Sequence, residues 1–403
     1  MRKAKIESRG GYRRPAHRVF FILIKAVAFL YTRLVLGYRC RDKYRQKDGE
    51  SVLVLCNHQT DLDILCILPC FSRPVYPVAA DSIFAGKGRS RLLSYFGVIP
   101  KKKAASDLRC VVRMYDYLRN GSSVLLFPEG NRYYAEFQYY VTESLPKFIK
   151  NTGSTLVLFN LHGGNGKDPR FKHKRRRGRF TGCIKEVIPP DVYSAMPDGE
   201  LLGHIMDGIR VFDSDSGEKF KSRRRAEYLE RMLFVCPVCG KFETLYSKGS
   251  HIYCSECGMK AEYTEDLHLK SGDGQFPFTR LCEWWDFQKA AVRDMEPKDG
   301  AVFSDKGVKL TSSTPFEKRT VLAKGDMSID GKALTVGGIA FPLEGITSAS
   351  VVSGRNLTFV CDKKDYTVRG GPRFDPVKYM FALNRLDSAV HKNKSDRYFD
   401  LEV

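Results

Sequence analysis

The longest apolar block lies near the N-terminus, where residues 19–36 hold twelve Leu, Ile, Val and Phe, interrupted by Lys25 and Arg33. Further on come short apolar runs of the length and β-branched character expected of buried strands: Ser51 to Cys56, Val75 to Ala80, Gly97 to Pro100, Ser123 to Phe127 and Leu156 to Phe159. Helical periodicity separates several of them, notably over Ala104 to Arg119, which Asn120-Gly121 ends. Leu201 to Phe212 and Phe220 to Phe234 also read as helices, and 276 to 295 as a helix with both tryptophans, Trp284 and Trp285. From Gly300 the pattern changes to short strands parted by turns such as Asp330-Gly331 and Gly337-Gly338, closed by a helix from about Asp375 to Leu386.

This succession predicts an α/β domain with a mixed sheet flanked by helices, then a small β-rich domain that resembles a pleckstrin-homology barrel. The expected divisions are 1–40 as a basic, amphipathic membrane-anchoring segment, 41–235 as the α/β domain, 236–260 as a metal ribbon, and 261–403 as a helix plus the small β-rich domain.

Charge sharpens the picture. The net +21 is uneven: residues 1–235 carry 43 Lys and Arg against 23 Asp and Glu, the rest 24 against 23. Such a field favours an anionic membrane surface, a phosphorylated substrate or nucleic acid. The first apolar block is marginal as a span, because its apolar residues contribute roughly −4 to −7 kcal/mol of insertion and two central cations cost roughly 5 to 7. Arg18, Lys25 and Thr32 recur every seven residues with Arg33 beside them, the pattern of a helix lying in the interface with its cations snorkelling. Basic residues from Arg2 to Arg14 precede it and suit anionic headgroups. Eight cations between Lys167 and Arg179 predict a headgroup-contacting hairpin, with a nucleic-acid patch as the competing reading.

Candidate chemistry is concentrated in two loops that each follow a strand. The first is Asn57-His58-Gln59-Thr60-Asp61-Leu62-Asp63. His58 and Asp63 are five apart, roughly 140° around a helix, so the imidazole must stand in the loop while the carboxylate reaches back from the first helical turn. A carboxylate on one ring nitrogen fixes the tautomer and leaves the other free to take a proton from a hydroxyl. Thr60 and Asp63 can equally form a helix cap, which leaves His58 unexplained. The second loop is Phe127-Pro128-Glu129-Gly130-Asn131-Arg132, where glycine permits close backbone approach and Glu and Arg can grip polar groups or phosphate.

Together the loops resemble the phospholipid/glycerol acyltransferase (PlsC-like) family of the 1-acylglycerol-3-phosphate acyltransferases. The family's Asn-His-x-Ser-x-x-Asp motif matches Asn57 to Asp63 with Thr60 for Ser, and its Phe-Pro-Glu-Gly-Thr-Arg motif matches Phe127 to Arg132 with Asn131 for Thr. The resemblance implies that His58 is the general base and Asp63 its orienting carboxylate, with Asn57, Glu129, Gly130 and Arg132 in the substrate site. The family's Gly-x-Ile-x-x-x-Arg segment corresponds to Gly97 to Lys103, which would put Lys101 and Lys103 at the acceptor phosphate; Lys neutralises phosphate without the bidentate fork. A fourth, proline-containing motif has no proline in Leu156 to Phe159.

The implied reaction is acyl transfer from acyl-coenzyme A or acyl-carrier protein to a lyso-phospholipid, 1-acylglycerol 3-phosphate first, in phospholipid synthesis. It would run on the cytoplasmic face of a membrane that the protein meets as a monotopic or peripheral molecule, a single span being the alternative. Glycerol 3-phosphate as acceptor, or a non-catalytic membrane or nucleic-acid scaffold, are the other readings.

Of twelve cysteines, Cys236, Cys239, Cys254 and Cys257 form two Cys-x-x-Cys knuckles, each followed by glycine, the spacing of a four-thiolate zinc ribbon. That zinc is structural, and no cofactor is expected for catalysis. The other eight are scattered as free thiols would be, which suggests a reducing compartment. The near-neutral charge from residue 236 makes nucleic acid an unlikely partner.

Overall fold

The structure is a computed structural model that describes residues 15–84, 87–102, 107–136, 141–172, 174–272, 274, 276–295, 300–312, 320–352, 354–390 and 398–399. Its first part is a seven-stranded mixed sheet of β1 (Tyr38–Cys40), β2 (Val52–Cys56), β3 (Val75–Ala80), β4 (Ile99–Lys101), β5 (Ser123–Leu126), β6 (Thr155–His162) and β7 (Phe180–Ile188), ordered β1-β7-β6-β2-β5-β3-β4. From β6 to β4 the neighbours are parallel, with Leu55 opposite Leu126 and Leu158, while β7 runs antiparallel to β6.

Burial on both faces explains the unbroken apolar runs of the central strands. Along β2, Val52, Val54 and Cys56 face one core, and Leu53 and Leu55 the other. The first core is covered by α1 (Pro15–Val35) and α2 (Asp63–Ile67). The second lies under α4 (Leu108–Arg119), α5 (Leu145–Thr152), α7 (Pro190–Ala195) and α8 (Asp198–Ile209); α3 (Lys87–Tyr95) precedes β4, and α6 (Gly164–Lys167) is a single turn after β6.

Helix α1 turns its faces the opposite way from the sequence expectation. Phe21, Ile24, Lys25, Ala28 and Thr32 face the protein. Thr32 Oγ1 donates to the Ala28 carbonyl at 2.8 Å, and Lys25 Nζ donates to the Phe71 carbonyl. Burial, then Lys43, lowers the Lys25 pKa. Outward point Ile22, Leu23, Val27 (66% exposed), Leu30 and Leu34 (79% exposed), with Arg33. No helix among the described residues is long and apolar enough to cross a membrane. The basic residues Arg2 to Arg14 lie outside the described residues.

Two further sheets follow. The small one is β8 (Leu245–Lys248), β9 (His251–Cys254), β10 (Lys260–Tyr263) and β11 (Leu269–Lys270), paired antiparallel in sequence order. After α9 (Leu281–Arg293) come β12 (Phe303–Ser312), β13 (Val321–Ile329), β14 (Ala333–Val336), β15 (Ile339–Pro342), β16 (Ile346–Val352), β17 (Asn356–Cys361) and β18 (Lys364–Arg369). These seven are antiparallel, β12 also pairs with β18, and α10 (Pro376–Val390) packs across β16 and β17; a short parallel β19 (Tyr398–Phe399) extends the β16 edge. This is the strand-rich unit with a closing helix that the turn pattern predicts. One hydrophobic core unites it with α9 and the small sheet, and reaches back to Tyr133, Tyr134 and Ala135.

Three expectations fail. Phe220 to Phe234 is not one α-helix: Lys221 and Arg177 exchange backbone bonds, Ala226 N donates to the Gly249 carbonyl and Tyr228 N to Ser247 Oγ, leaving a single 3-10 turn at Leu229–Arg231. The segment from Lys167 to Arg179 is not a free cationic hairpin. Arg170 and Arg176 are buried, Lys167 Nζ donates to the Gly178 carbonyl, Lys172 and Arg175 pair with Asp168, and Arg179 pairs with Glu218. Cys40 and Cys70 are not separate thiols, since they stand 6.4 Å apart at Cα and are joined as a disulfide.

At Gly182 of β7 a Cβ would lie 2.0 Å from Tyr38 Oη and 2.8 Å from the Phe159 ring. Gly182→Ala is expected to lower stability by about 1–3 kcal/mol through overpacking. An unchanged urea midpoint would contradict this packing.

Candidate active site

Both motif loops leave the carboxyl ends of adjacent parallel strands, β2 and β5, where open α/β sheets hold their ligands. Strand alternation puts Cys56 and Phe127 on the same side, and the His58 ring stacks on Phe127 with centroids 4.2 Å apart at 19°. Asn57 faces the other neighbour: its Nδ2 donates to the Leu161 carbonyl at 2.9 Å and its Oδ1 accepts from Leu161 N at 2.8 Å. It thus continues the β2–β6 ladder one residue past the strand.

Asp63 organises the loop. Fully buried at the start of α2, its carboxylate accepts from Gln59 N (2.6 Å), Thr60 N (2.9 Å) and Thr60 Oγ1 (2.6 Å). The same carboxylate stands 2.9 Å from His58 Nδ1. Because a carboxylate only accepts, Nδ1 carries the proton and Nε2 is left as the basic nitrogen. The His58 side chain is 23% exposed, open enough to meet a substrate. The helix begins at Asp63 itself with Leu62 at the cap position and no side-chain cap bond, so the carboxylate gathers the loop's donors and meets His58 without forming the capping box.

The second loop is tied to the first through backbone, since Tyr133 N donates to the His58 carbonyl at 3.2 Å. Gly130 sits at φ +70, where a side chain would be strained. Glu129 is buried close to Tyr133, whose pKa is raised well above normal by burial and then by this carboxylate. Arg132, only 7% exposed, is aimed into the protein. Its Nε donates to the Gln59 carbonyl (3.0 Å), Nη2 to the Asp168 carbonyl (2.6 Å), and Nη1 pairs with Asp61 (2.8 Å). Although burial pushes the Asp61 pKa up, Arg132 holds it below its ordinary value. Lys101 ends β4 at the sheet edge and is exposed; Lys103 lies outside the described residues.

Sequence reasoning missed the partners that come from afar. Gln59 Nε2 donates to Asp213 Oδ1 (3.1 Å), and its Oε1 accepts from Gly164 N (2.8 Å). Asp213 also accepts from Gly163 N (2.6 Å) and Gly166 N (2.9 Å), and its own amide donates to Glu136 (2.8 Å). Burial first, then proximity to Asp213, raises the Glu136 pKa, and burial raises that of Asp213. Asp213 sits 154 residues from Gln59 in a turn with no pattern of its own, so no local signal marks it. Phe127, by contrast, is legible as the last residue of a buried run.

An apolar cavity of about 330 Å³ is lined by Phe21 and Ile24 of α1, Ile64 of α2, Leu68 just after it, Tyr76 of β3 and Leu93 of α3.

In the small sheet, Cys236, Cys239, Cys254 and Cys257 bring their sulfurs within 4.8 Å of one another. The pairs Cys236–Cys257 and Cys239–Cys254 are 3.6 and 3.8 Å apart. Tetrahedral thiolates at a Zn–S bond of about 2.3 Å stand about 3.8 Å apart, so the donor set fits a metal ion of that kind. Gly240 and Gly258, at φ +69 and +74, turn both knuckles alike: each amide donates to the carbonyl of the first cysteine.

Residues 38–157 match the family model described as Acyltransferase. A curated relative, a 1-acyl-sn-glycerol-3-phosphate acyltransferase of Chlamydomonas reinhardtii, is 27% identical over 145 residues. That alignment covers 35% of this chain and 43% of the relative, so the chain spans less than half of the curated protein it matches. The crystal structure of the 1-acyl-sn-glycerophosphate (LPA) acyltransferase PlsC from Thermotoga maritima aligns at a TM-score of 0.43 and 16% identity, over 50% of this chain and 82% of that one. Residues 38–157 thus match an acyltransferase-family domain, and the His58–Asp63 pair falls inside them.

Asp63→Asn keeps the volume and removes the charge, placing an amide NH₂ against donors. A loss of about 2 kcal/mol in denaturant unfolding is expected. An Asp63→Asn variant as stable as the parent would show that the carboxylate does not organise the loop.

Proposed function

We infer that this protein is an O-acyltransferase that moves an acyl chain from a thioester to the hydroxyl of a lyso-phospholipid at a membrane surface. The His58–Asp63 pair carries this reading. Its Nδ1 is held by a carboxylate, Nε2 is free, and no serine or cysteine nucleophile is required. His58 Nε2 takes the proton as the acceptor oxygen attacks the thioester carbonyl. The C–O bond forms, the C–S bond breaks, and the proton passes to the departing thiolate. Phe127 fixes the ring from below.

The acceptor is assigned to the side where Glu129, Gly130 and Lys101 stand, with Lys103 as a further phosphate contact and Asn57 as a brace for the loop. Arg132 holds the two loops in register, since its donors are directed at Gln59, Asp168 and Asp61. The acyl chain is assigned to the cavity between α1, α2, β3 and α3, whose lining is apolar. The outward face of α1, with Leu30, Leu34 and their neighbours exposed, supports peripheral or monotopic docking on the cytoplasmic face of an anionic membrane. Lysophosphatidate is the first acceptor to try, glycerol 3-phosphate the second. Acyl-coenzyme A and acyl-carrier protein are the donors to compare.

Transfer from a labelled thioester in liposomes is expected to be His58-dependent, falling by about 10²–10⁴-fold in His58→Ala while the fold persists. Product that survives His58→Ala, or none with any donor and acceptor pair, removes the assignment.

The four cysteines are proposed to hold one structural zinc, closed to substrate. Chelation is expected to release about one zinc per chain with loss of thermal stability. A metal content of zero in protein purified without chelator would overturn it.

A further inference from the structure

Immediately after the second motif loop the chain leaves the acyltransferase sheet, which it rejoins only at β6. Tyr133, Tyr134 and Ala135, immediately after Arg132, are buried in the core shared by the small sheet and the C-terminal strands. Arg170, 9% exposed, closes that junction from the other side. Its Nη1 donates to the Arg132 carbonyl at 3.0 Å and its Nη2 to the Val351 carbonyl of β16 at 2.7 Å, while the guanidinium lies 3.7 Å from the centre of the Tyr134 ring. Tyr134 stacks in turn on Trp285 of α9, with centroids 5.3 Å apart at 23°.

The strand module also makes room for the backbone of this residue. Gly354, in the turn after β16, has φ +62, and a Cβ there would stand 2.5 Å from the Arg170 carbonyl oxygen. Only a planar fork with several donors can bond two carbonyls in different directions and still lay its face on a ring; an ammonium cannot do all three. The hydrogen bond between His58 and Asp63, by contrast, lies within the first loop.

We propose that Arg170 is a positioning residue through which the C-terminal strand module holds the Glu129–Arg132 loop, and with it the acceptor side of the transfer site. The proposal rests on the acyltransferase reading for its effect on turnover, and on the contacts alone for its effect on the loop.

The test uses the full chain and three variants: Arg170→Met, Arg170→Lys and Gly354→Ala, the last acting from the strand module. Amide hydrogen exchange over residues 129–135 is expected to accelerate about tenfold or more in Arg170→Met, with protection of β2 and β12–β18 kept, because a buried bond to a charged donor is lost. Arg170→Lys should restore part of that protection, and Gly354→Ala should lose part of it. In liposomes the acceptor KM should rise on the order of tenfold while the donor KM stays at the parent value. A role in stability alone would lower kcat through the active fraction and leave both KM values in place, and that outcome overturns the proposal. So does parental loop exchange in all three variants. If Arg170→Met does not fold, Arg170→Lys and Gly354→Ala decide. Should the parent transfer no acyl group, the function assignment fails on its own and the exchange data still decide the role of Arg170.

Discussion

A single buried carboxylate sets the shape of the candidate site. Asp63 has no solvent to satisfy it, so it must collect donors from the chain, and the nearest are the amides of Gln59 and Thr60, the Thr60 hydroxyl and the His58 ring. Gathering them curls residues 57–63 around the first turn of α2 and leaves the imidazole with one nitrogen bound and one outward. The orientation of the imidazole is thus a by-product of the need to solvate a charge. Gln59, turned away by the same curl, carries the arrangement outward to Asp213 and the turn of glycines at 163–166.

The second constraint is that the chain shares its interior between units. The core that contains Cys236, Cys254 and the C-terminal strands begins with residues that directly follow the Arg132 position. Trp284 Nε1 donates to the Val235 carbonyl beside Cys236, and its neighbour Trp285 packs on Tyr134, so α9 touches the ribbon and the acyltransferase loop with successive residues. Two of the cations between 167 and 179, Arg170 and Arg176, serve this junction. Arg176, buried, bonds the Arg225 carbonyl at 2.6 Å and lies over Phe171 and Tyr263.

Where chemistry and its partner lie within a few residues, the sequence is readable. Residues 57–63 were legible because their side chains act on one another within a short segment, and 127–132 and the two cysteine knuckles because their residue types stand at a fixed local spacing. The strands of the first sheet were legible as apolar runs, and the C-terminal strands as alternation between turns. Arg170, Asp213 and Glu136 were not, since their partners are backbone groups from distant segments, and a carbonyl leaves no mark in the residue code. For the same reason the run from 167 to 179 read as a charged surface, though Arg170 and Arg176 are interior. Phe220 to Phe234 carried a helical rhythm that cross-chain pairing with Arg177 and Gly249 overrode.

Helix α1 presents its broad apolar side to the surroundings and keeps a narrower stripe, with a lysine and a threonine in it, for the protein. In plain buffer that surface has no proper solvent. Chains released from the ribosome without amphiphile will pair these helices with one another, and concentration will drive clustering before any measurement begins. Handling the protein is therefore a problem in colloid chemistry, with detergent or lipid acting as part of its solvent.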